Sequence, residues 1–304
     1  MLQAVMKENA AHTPVLVEEI MTYLNPVSGD AILDCTLGLG GHASHIMQYI
    51  GADGRLIGLD RDQAASAQAR TRLEDFLGRL DIVHTDYADL DQALKQLGID
   101  GVDGILIDAG VSSMQLDTAE RGFSFREDGP LDMRMDQTAP IRAYDLVNTL
   151  SEYELAHIIR EYGEDRWHKK IARHIVEARA LEPIYTTRQL ADVVANAIPK
   201  RFHEKRIHPA TRTFQGLRIA VNHELDSLKT ALEKAVLFLK PGARLCVISF
   251  HSLEDRIVKH AFRSMADAFH LNILTKKPIV PSEVEMEINP RARSAKLRVV
   301  EKAV

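Results

Sequence analysis

The 304-residue chain is 45% hydrophobic and 27% charged, within the globular range, with room for one large domain or a domain carrying a substantial insertion. The absence of any apolar run of about 18 residues, and an opening "MLQAVMKENAAHTP" without an apolar core, argue against a membrane span or secretory signal and for a cytoplasmic protein. A net charge of −5 argues against a general nucleic-acid binder, and two isolated cysteines, Cys35 and Cys246, suit a reducing compartment better than a disulfide framework.

The first third alternates strand and helix. Strand-like runs at 31–36, 55–60, 80–84 and 102–108 enclose helical stretches at 42–50 and 61–77. Such alternation predicts a parallel sheet with helices on both faces. Three of the strands end in or near an acid, Asp34, Asp60 and Asp108. The crevice of an open α/β sheet lies beyond the carboxyl ends of its strands, so these acids are placed to meet a ligand.

After Asp108 the alternation stops. Helical periodicity runs through 151–163, 164–180 and 186–198, with Thr186 or Thr187 as an N-cap candidate. A gap of this length far exceeds the 2–6 residues of an ordinary connection and predicts an inserted helical subdomain. A helix at 222–239 and a fifth strand at 240–250 resume the sheet. A further helix over 251–265 follows, with Ser252 and Asp255 as its capping box, then two closing strands at 271–275 and 295–301. Their short connection predicts an antiparallel pair.

Between the first strand and its helix lies "LDCTLGLGGHA", residues 33–43. Gly38-x-Gly40-x-x-Ala43 satisfies the dinucleotide fingerprint, and Asp60 falls 22 positions after Gly38, where an acid on a ribose hydroxyl is expected. Spacing alone therefore leaves a nicotinamide dinucleotide and S-adenosylmethionine both open. Three other features favour S-adenosylmethionine. Asp34 precedes the turn, where a carboxylate repels a pyrophosphate but pairs with the ammonium of a methionine moiety. Lys240-Pro241-Gly242 introduces a late strand, as in many methyltransferases, and the closing strands read as antiparallel.

Other chemistries fit poorly. "SFHSLEDR" brings Ser and His close but has no G-x-S-x-G elbow. His203 and His208 have no cysteine or acid to complete a metal site, so no metal is expected. Two stretches are locally basic: 199–218 holds six Lys/Arg against one Glu, and 289–298 holds four with no acid. Such patches on an acidic body bind phosphates at defined places.

The blocks "HTPVLVEEI" (12–20), "DCTLGLGGH" (34–42), "DAGVSSMQLDTAERGFSFREDGPLDMRMD" (108–136), "HPATRTFQGLRIAVNHEL" (208–225), "ISFHSLEDRIVK" (248–259) and "NPRARSAKLR" (289–298) together resemble the MraW family, over nearly the whole chain. These methyltransferases act on N4 of a decoding-site cytidine in bacterial 16S ribosomal RNA within the small ribosomal subunit. The resemblance implies a class I, Rossmann-like α/β methyltransferase sheet with an inserted helical substrate-recognition subdomain. The expected division is 1–112 and 216–304 for the sheet domain and 113–215 for the insertion. S-adenosylmethionine is the implied cofactor, with Gly40, Gly41, His42, Asp60, Tyr87 (beside the adenine), Asp108 and Gln115 as contacts. Ala243 and Met114 depart from the residues common in the family after Lys-Pro-Gly and before Gln115. "DAGVSS" lacks the Pro-Pro-aromatic motif of DNA amino-methyltransferases, and Asp108 is the catalytic candidate there. In "ERGFSFREDGPLDMRMD", Phe123 and Phe125 lie two apart with Arg121, Arg126 and Arg134 nearby, a set that either stacks bases on the aromatics with arginines on phosphates or packs both Phe against the sheet. Arg212 and Arg293 represent the two basic stretches as further RNA contacts.

Overall fold

A computed structural model describes residues 14–204 and 207–304. Most of the N-terminal segment, with His12 and Thr13 of the first family block, and Lys205 and Arg206 of the basic stretch lie outside the described residues. The chain divides into two compact units, residues 1–110 with 225–304 and residues 111–224.

In chain order the first unit begins α1 (Val17–Leu24), β1 (Ala31–Asp34), α2 (Gly41–Tyr49), β2 (Arg55–Asp60), α3 (Gln63–Arg72), β3 (Leu80–His84), α4 (Leu90–Gln96) and β4 (Val102–Asp108). The second unit follows with α5 (Ser113–Asp117), α6 (Ala143–Thr149), α7 (Glu152–Glu161), α8 (His168–Leu181), α9 (Thr187–Ala197) and α10 (Thr211–Asn222). The first unit resumes at α11 (Glu224–Phe238), then β5 (Leu239–Ser249), α12 (Ser252–Met265), β6 (Leu271–Ile273), α13 (Glu283–Ile288) and β7 (Lys296–Lys302).

The seven strands form one sheet in the order β3-β2-β1-β4-β5-β7-β6. β1 to β5 run parallel, and β7 is antiparallel to both β5 and β6. This is the class I methyltransferase sheet. Its central strands are covered on both faces, so their sequences read as near-continuous apolar runs such as "GILI" in β4 and "LCVI" in β5. One face packs Ile57, Ile105, Val247 and Phe262 with the α11 residues Leu228 and Leu232. The other packs Leu16, Ile20, Ile46, Leu106, Ile248 and Leu297. Cys35 and Cys246 are buried and free. Among the described residues no helix is long and apolar enough to cross a membrane.

The second unit is helical with its own core, built from Leu155, Ile159, Ile171, Ile175, Leu190 and Val194 on the inner stripes of α7, α8 and α9. Ser151 with Glu154 and Thr186 with Gln189 form the capping boxes that start α7 and α9. The expected boundary at 215/216 falls inside α10 and is corrected by the structure. Phe214, Leu217 and Val221 of that helix all join the second core. Its last residue, Asn222, donates to the Met133 carbonyl at 2.7 Å and accepts from the Met135 N–H at 2.8 Å, so the helix cannot be divided.

The cap of α12 is also corrected. His251, not Ser252, is the N-cap, and Glu254 is its box partner. Asp255 instead accepts from Arg298 Nε at 2.7 Å on β7, which with Lys296 holds its carboxyl below the usual range against the opposing effect of burial. The closing connection contains α13 and a 3-10 turn, Pro290–Ser294, where sequence suggests only a loop.

Candidate active site

Parallel pairing aligns the carboxyl ends of β1, β2 and β4. Asp34 lies opposite Gly58 and Leu106, and Asp108 opposite Ile248. The turn after β1 continues the ladder briefly, with Cys35 N–H donating to the Leu106 carbonyl and Leu37 N–H to the Leu59 carbonyl, both at 2.9 Å. It then bends through Gly38 (φ 52°) and Gly40 (φ 76°) into α2. The positive φ at Gly40 favours glycine, and a Cβ there would stand 2.9 Å from Leu73 Cδ1 and displace that side chain.

Asp60 fixes the turn. One carboxylate oxygen accepts from Gly38 N–H at 2.7 Å, the other from Asp62 N–H at 2.7 Å. Burial raises its pKa, partly offset by these two hydrogen bonds. Asp34 is 1% exposed. Burial pushes its carboxyl up to about 6, with His42 and the Thr36 N–H pulling down and Asp108 and Asp60 pushing up. Thr36, which no sequence motif marks, joins two strand ends. Its N–H donates to Asp34 at 3.0 Å, and its hydroxyl accepts from Asp108 N–H at 2.7 Å.

His42 enters from the first turn of α2. It is 6% exposed, and its Nε2 lies 3.6 Å from Asp108 Oδ2, beyond hydrogen-bond distance. Neither ring nitrogen of His42 has a hydrogen-bond partner among the described residues, and Asp108 Oδ1 has none either. Buried polar atoms without partners cost about 1–3 kcal/mol each unless a ligand completes them. Three such atoms, one buried and one half-buried acid and a helix N-terminus behind a glycine turn therefore suit a small polar ligand at these strand ends. Tyr87 follows β3 but is buried in the sheet core, with the Arg61 guanidinium 5.8 Å from its ring centroid. Arg61 in turn pairs with Asp86 at 2.9 Å.

A family profile described as the MraW methylase family matches residues 9–303. The chain belongs to this family. Similar proteins named "Ribosomal RNA small subunit methyltransferase H" include one from Citrifermentans bemidjiense, 53% identical over 97% of this chain and 99% of its own length. Another, from Geobacter sulfurreducens, is 53% identical over 96% of this chain and 99% of its own length. The methylase uses S-adenosylmethionine as methyl donor. The unpartnered atoms of His42 and Asp108, the buried carboxylate Asp34 and the half-buried carboxylate Asp60 fit that group, which offers an ammonium, ribose hydroxyls and a sulfonium charge.

The second unit of the methylase holds the remaining expected residues. Gln115 is 4% exposed and closes a capping box on α5, its Oε1 accepting from Ser112 N–H at 3.0 Å. Three of the expected RNA contacts are engaged within this unit. Phe123, 7% exposed, belongs to the helical core. Arg121, 6% exposed, donates to the carbonyls of Arg134 and Met135 at 2.9 and 3.0 Å. Arg134 is held in a two-point pair with Asp132 at 2.8 and 2.7 Å. Arg134 nonetheless keeps 19% of its side chain exposed. Arg212 differs, with its side chain 47% exposed and a narrow cleft beside it lined by Trp167, Phe202 and His208. Arg293, in the first unit, is exposed on the 3-10 turn before β7.

Proposed function

We propose that this methylase transfers the methyl group of S-adenosylmethionine to N4 of a decoding-site cytidine in 16S ribosomal RNA within the small subunit. The whole-length likeness to proteins named for small-subunit ribosomal RNA methylation carries the substrate class. The strand-end acids and the exposed Arg212 and Arg293 support it. In this reading Gly40 and Gly41 let the backbone approach the cofactor, Asp60 accepts from its ribose hydroxyls, and Asp34 faces its ammonium. Tyr87 borders the adenine and His42 completes the contacts within the first unit, while Gln115 of the second unit is engaged in the α5 capping box.

When bound, S-adenosylmethionine supplies an electrophilic methyl carbon on a positively charged sulfur. The cytosine N4 lone pair is delocalised into the ring, so the attacking amine needs an acceptor for its N–H groups. Asp108 offers that acceptor, with a carboxylate oxygen that has no partner of its own. Its negative charge stabilises the positive charge that develops on N4 as the N–C bond forms and the C–S pair returns to sulfur. N4 would then pass one proton to the unpartnered Asp108 carboxylate oxygen, from which solvent removes it. Thr36 fixes the backbone of Asp108 so that its placement costs nothing at the moment of reaction.

The test is methyl transfer from labelled S-adenosylmethionine to small ribosomal subunits and, separately, to naked 16S RNA, with the modified nucleotide mapped by mass spectrometry. Label in an N4-methylated cytidine is the expected result. Label elsewhere, or none, overturns the reading.

A further inference from the structure

A target base in structured RNA must be turned out of its stack, and an aromatic face offsets the stacking it loses. DNA amino-methyltransferases place that aromatic directly after the fourth strand. Here that segment is Asp108-Ala109-Gly110-Val111-Ser112, without an aromatic. The neighbouring strand brings one. Asp108 and Ile248 are register partners, and Ala109 N–H donates to the Ile248 carbonyl at 3.0 Å. Phe250, just beyond the end of β5, therefore stands beside Gly110.

Gly110 sits at φ 105°, and a Cβ built on it would meet Phe250 Cδ2 at 3.6 Å. Glycine thus leaves the edge of the ring bare where a side chain would lie against it. The backbone of Phe250 is fixed by a buried carboxylate. Glu254, 2% exposed, accepts from Phe250 N–H at 2.7 Å and from His251 N–H at 3.2 Å. The ring itself is half-buried, resting partly on the core around Ile248 and Leu297. An aromatic with a fixed backbone and a half-exposed ring, beside the residue two positions after Asp108, is placed to serve as a platform for a planar ligand.

We propose that Phe250 is the stacking surface for the target pyrimidine, supplying from β5 the aromatic that the segment after β4 lacks. Gly110 leaves the edge of that ring uncovered, and Glu254 is its positioning residue. This inference rests on the cytidine reading given above.

Stacking and mere packing make different demands on the side chain, so paired variants separate them. Phe250→Tyr keeps an aromatic face, whereas Phe250→Leu keeps an apolar side chain but no face. With small subunits and saturating S-adenosylmethionine, Phe250→Leu is expected to lose about tenfold to a hundredfold in kcat/KM, and Phe250→Tyr about twofold or less. Calorimetric affinity for S-adenosylmethionine should be the same in wild type and both variants. A second measurement is independent of turnover. An RNA oligonucleotide carrying a fluorescent cytosine analogue at the target position should be quenched by wild type and Phe250→Tyr but not by Phe250→Leu. Equal turnover and equal quenching by Leu and Tyr would overturn the stacking role. Wild-type protein that methylates no cytidine would overturn the substrate reading instead, a result visible before any variant is made.

Discussion

Asp108 at the end of β4 and Arg121 in the helical unit are both expected from sequence to meet a ligand, and the structure treats them in opposite ways. Asp108 keeps a buried oxygen without a partner, beside a His42 ring whose two nitrogens are also unpartnered. Arg121 is as buried as His42 but spends its guanidinium on the backbone carbonyls of Arg134 and Met135. The difference is informative because both arrangements cost desolvation, and only one recovers it within the chain. A buried polar group that the fold leaves unsatisfied marks where a ligand completes the structure. A buried polar group that the fold saturates is part of the scaffold, however basic its sequence neighbourhood looks.

The sharpest way to break that contrast is at Asp108. Asp108→Asn keeps size and hydrogen-bonding shape but removes the charge that stabilises N4. With saturating cofactor, turnover should fall about a hundredfold or more. Isothermal calorimetry with S-adenosylmethionine separates this from lost binding, and full turnover in the variant would reduce Asp108 to a cofactor contact. Arg121→Ala makes the complementary claim. It removes the donor to one buried and one partly buried carbonyl and should cost the protein about 1–3 kcal/mol in denaturant unfolding, with RNA affinity per folded molecule and its salt dependence unchanged. A stable variant with a flattened salt dependence would return Arg121 to the RNA surface.

Asp34 tests the same principle through pH. Its folded-state pKa of about 6 lies above the roughly 3.9 of an unfolded chain. Stability from this group is therefore fully present below about pH 4 and is lost as pH rises to about 6. At pH 7.5 the charged, buried carboxylate costs the cofactor-free protein up to about 3 kcal/mol. Asp34→Asn should then melt higher than wild type at pH 7.5, with the gain vanishing near pH 4. A cation facing Asp34 would pull its pKa back down. Wild-type affinity for S-adenosylmethionine should consequently weaken between pH 7 and pH 5, and that of the Asn variant should not. Identical melting of the two proteins at both pH values would remove Asp34 from this role.

The sheet was readable because its signals are local. "RLIGLD", "LDIVH" and "VDGILID" are apolar runs bounded by turn residues, and the structure places β2, β3 and β4 at 55–60, 80–84 and 102–108 as expected. The strand-end acids followed from topology alone. What stayed hidden depends on partners distant in the chain or on backbone atoms. Arg121 is saturated by carbonyls, which no sequence pattern displays. The capping box of α12 sits one residue earlier than expected because the i, i+3 pattern occurs twice, at His251/Glu254 and Ser252/Asp255, and the end of β5 decides between them. Phe250 gains its place only from the pairing of β4 with β5. Thr36 is anonymous in "DCTLG" until the strands align.

The smallest effects are expected at the two arginines that remain exposed. Arg212 is only loosely engaged, donating to the Glu164 carbonyl at 3.1 Å with Glu204 at 3.6 Å. Surface contacts of this kind are worth little to the fold, so charge reversal there should leave the melting temperature within a degree or two. Its consequence lies in counterion release. Each phosphate contact contributes about 0.7–0.9 to the slope of log affinity against log salt, so Arg212→Glu and Arg293→Glu should each flatten that slope by about one and weaken binding several-fold at low salt. Because the effect is electrostatic, the variants should converge on wild type at high salt. Arg134→Glu supplies the contrast within the same measurement: breaking the two-point pair with Asp132 should lower stability while changing the slope little. If Arg134→Glu flattens the slope and Arg212→Glu does not, saturation within the fold is no guide to which arginines meet the RNA.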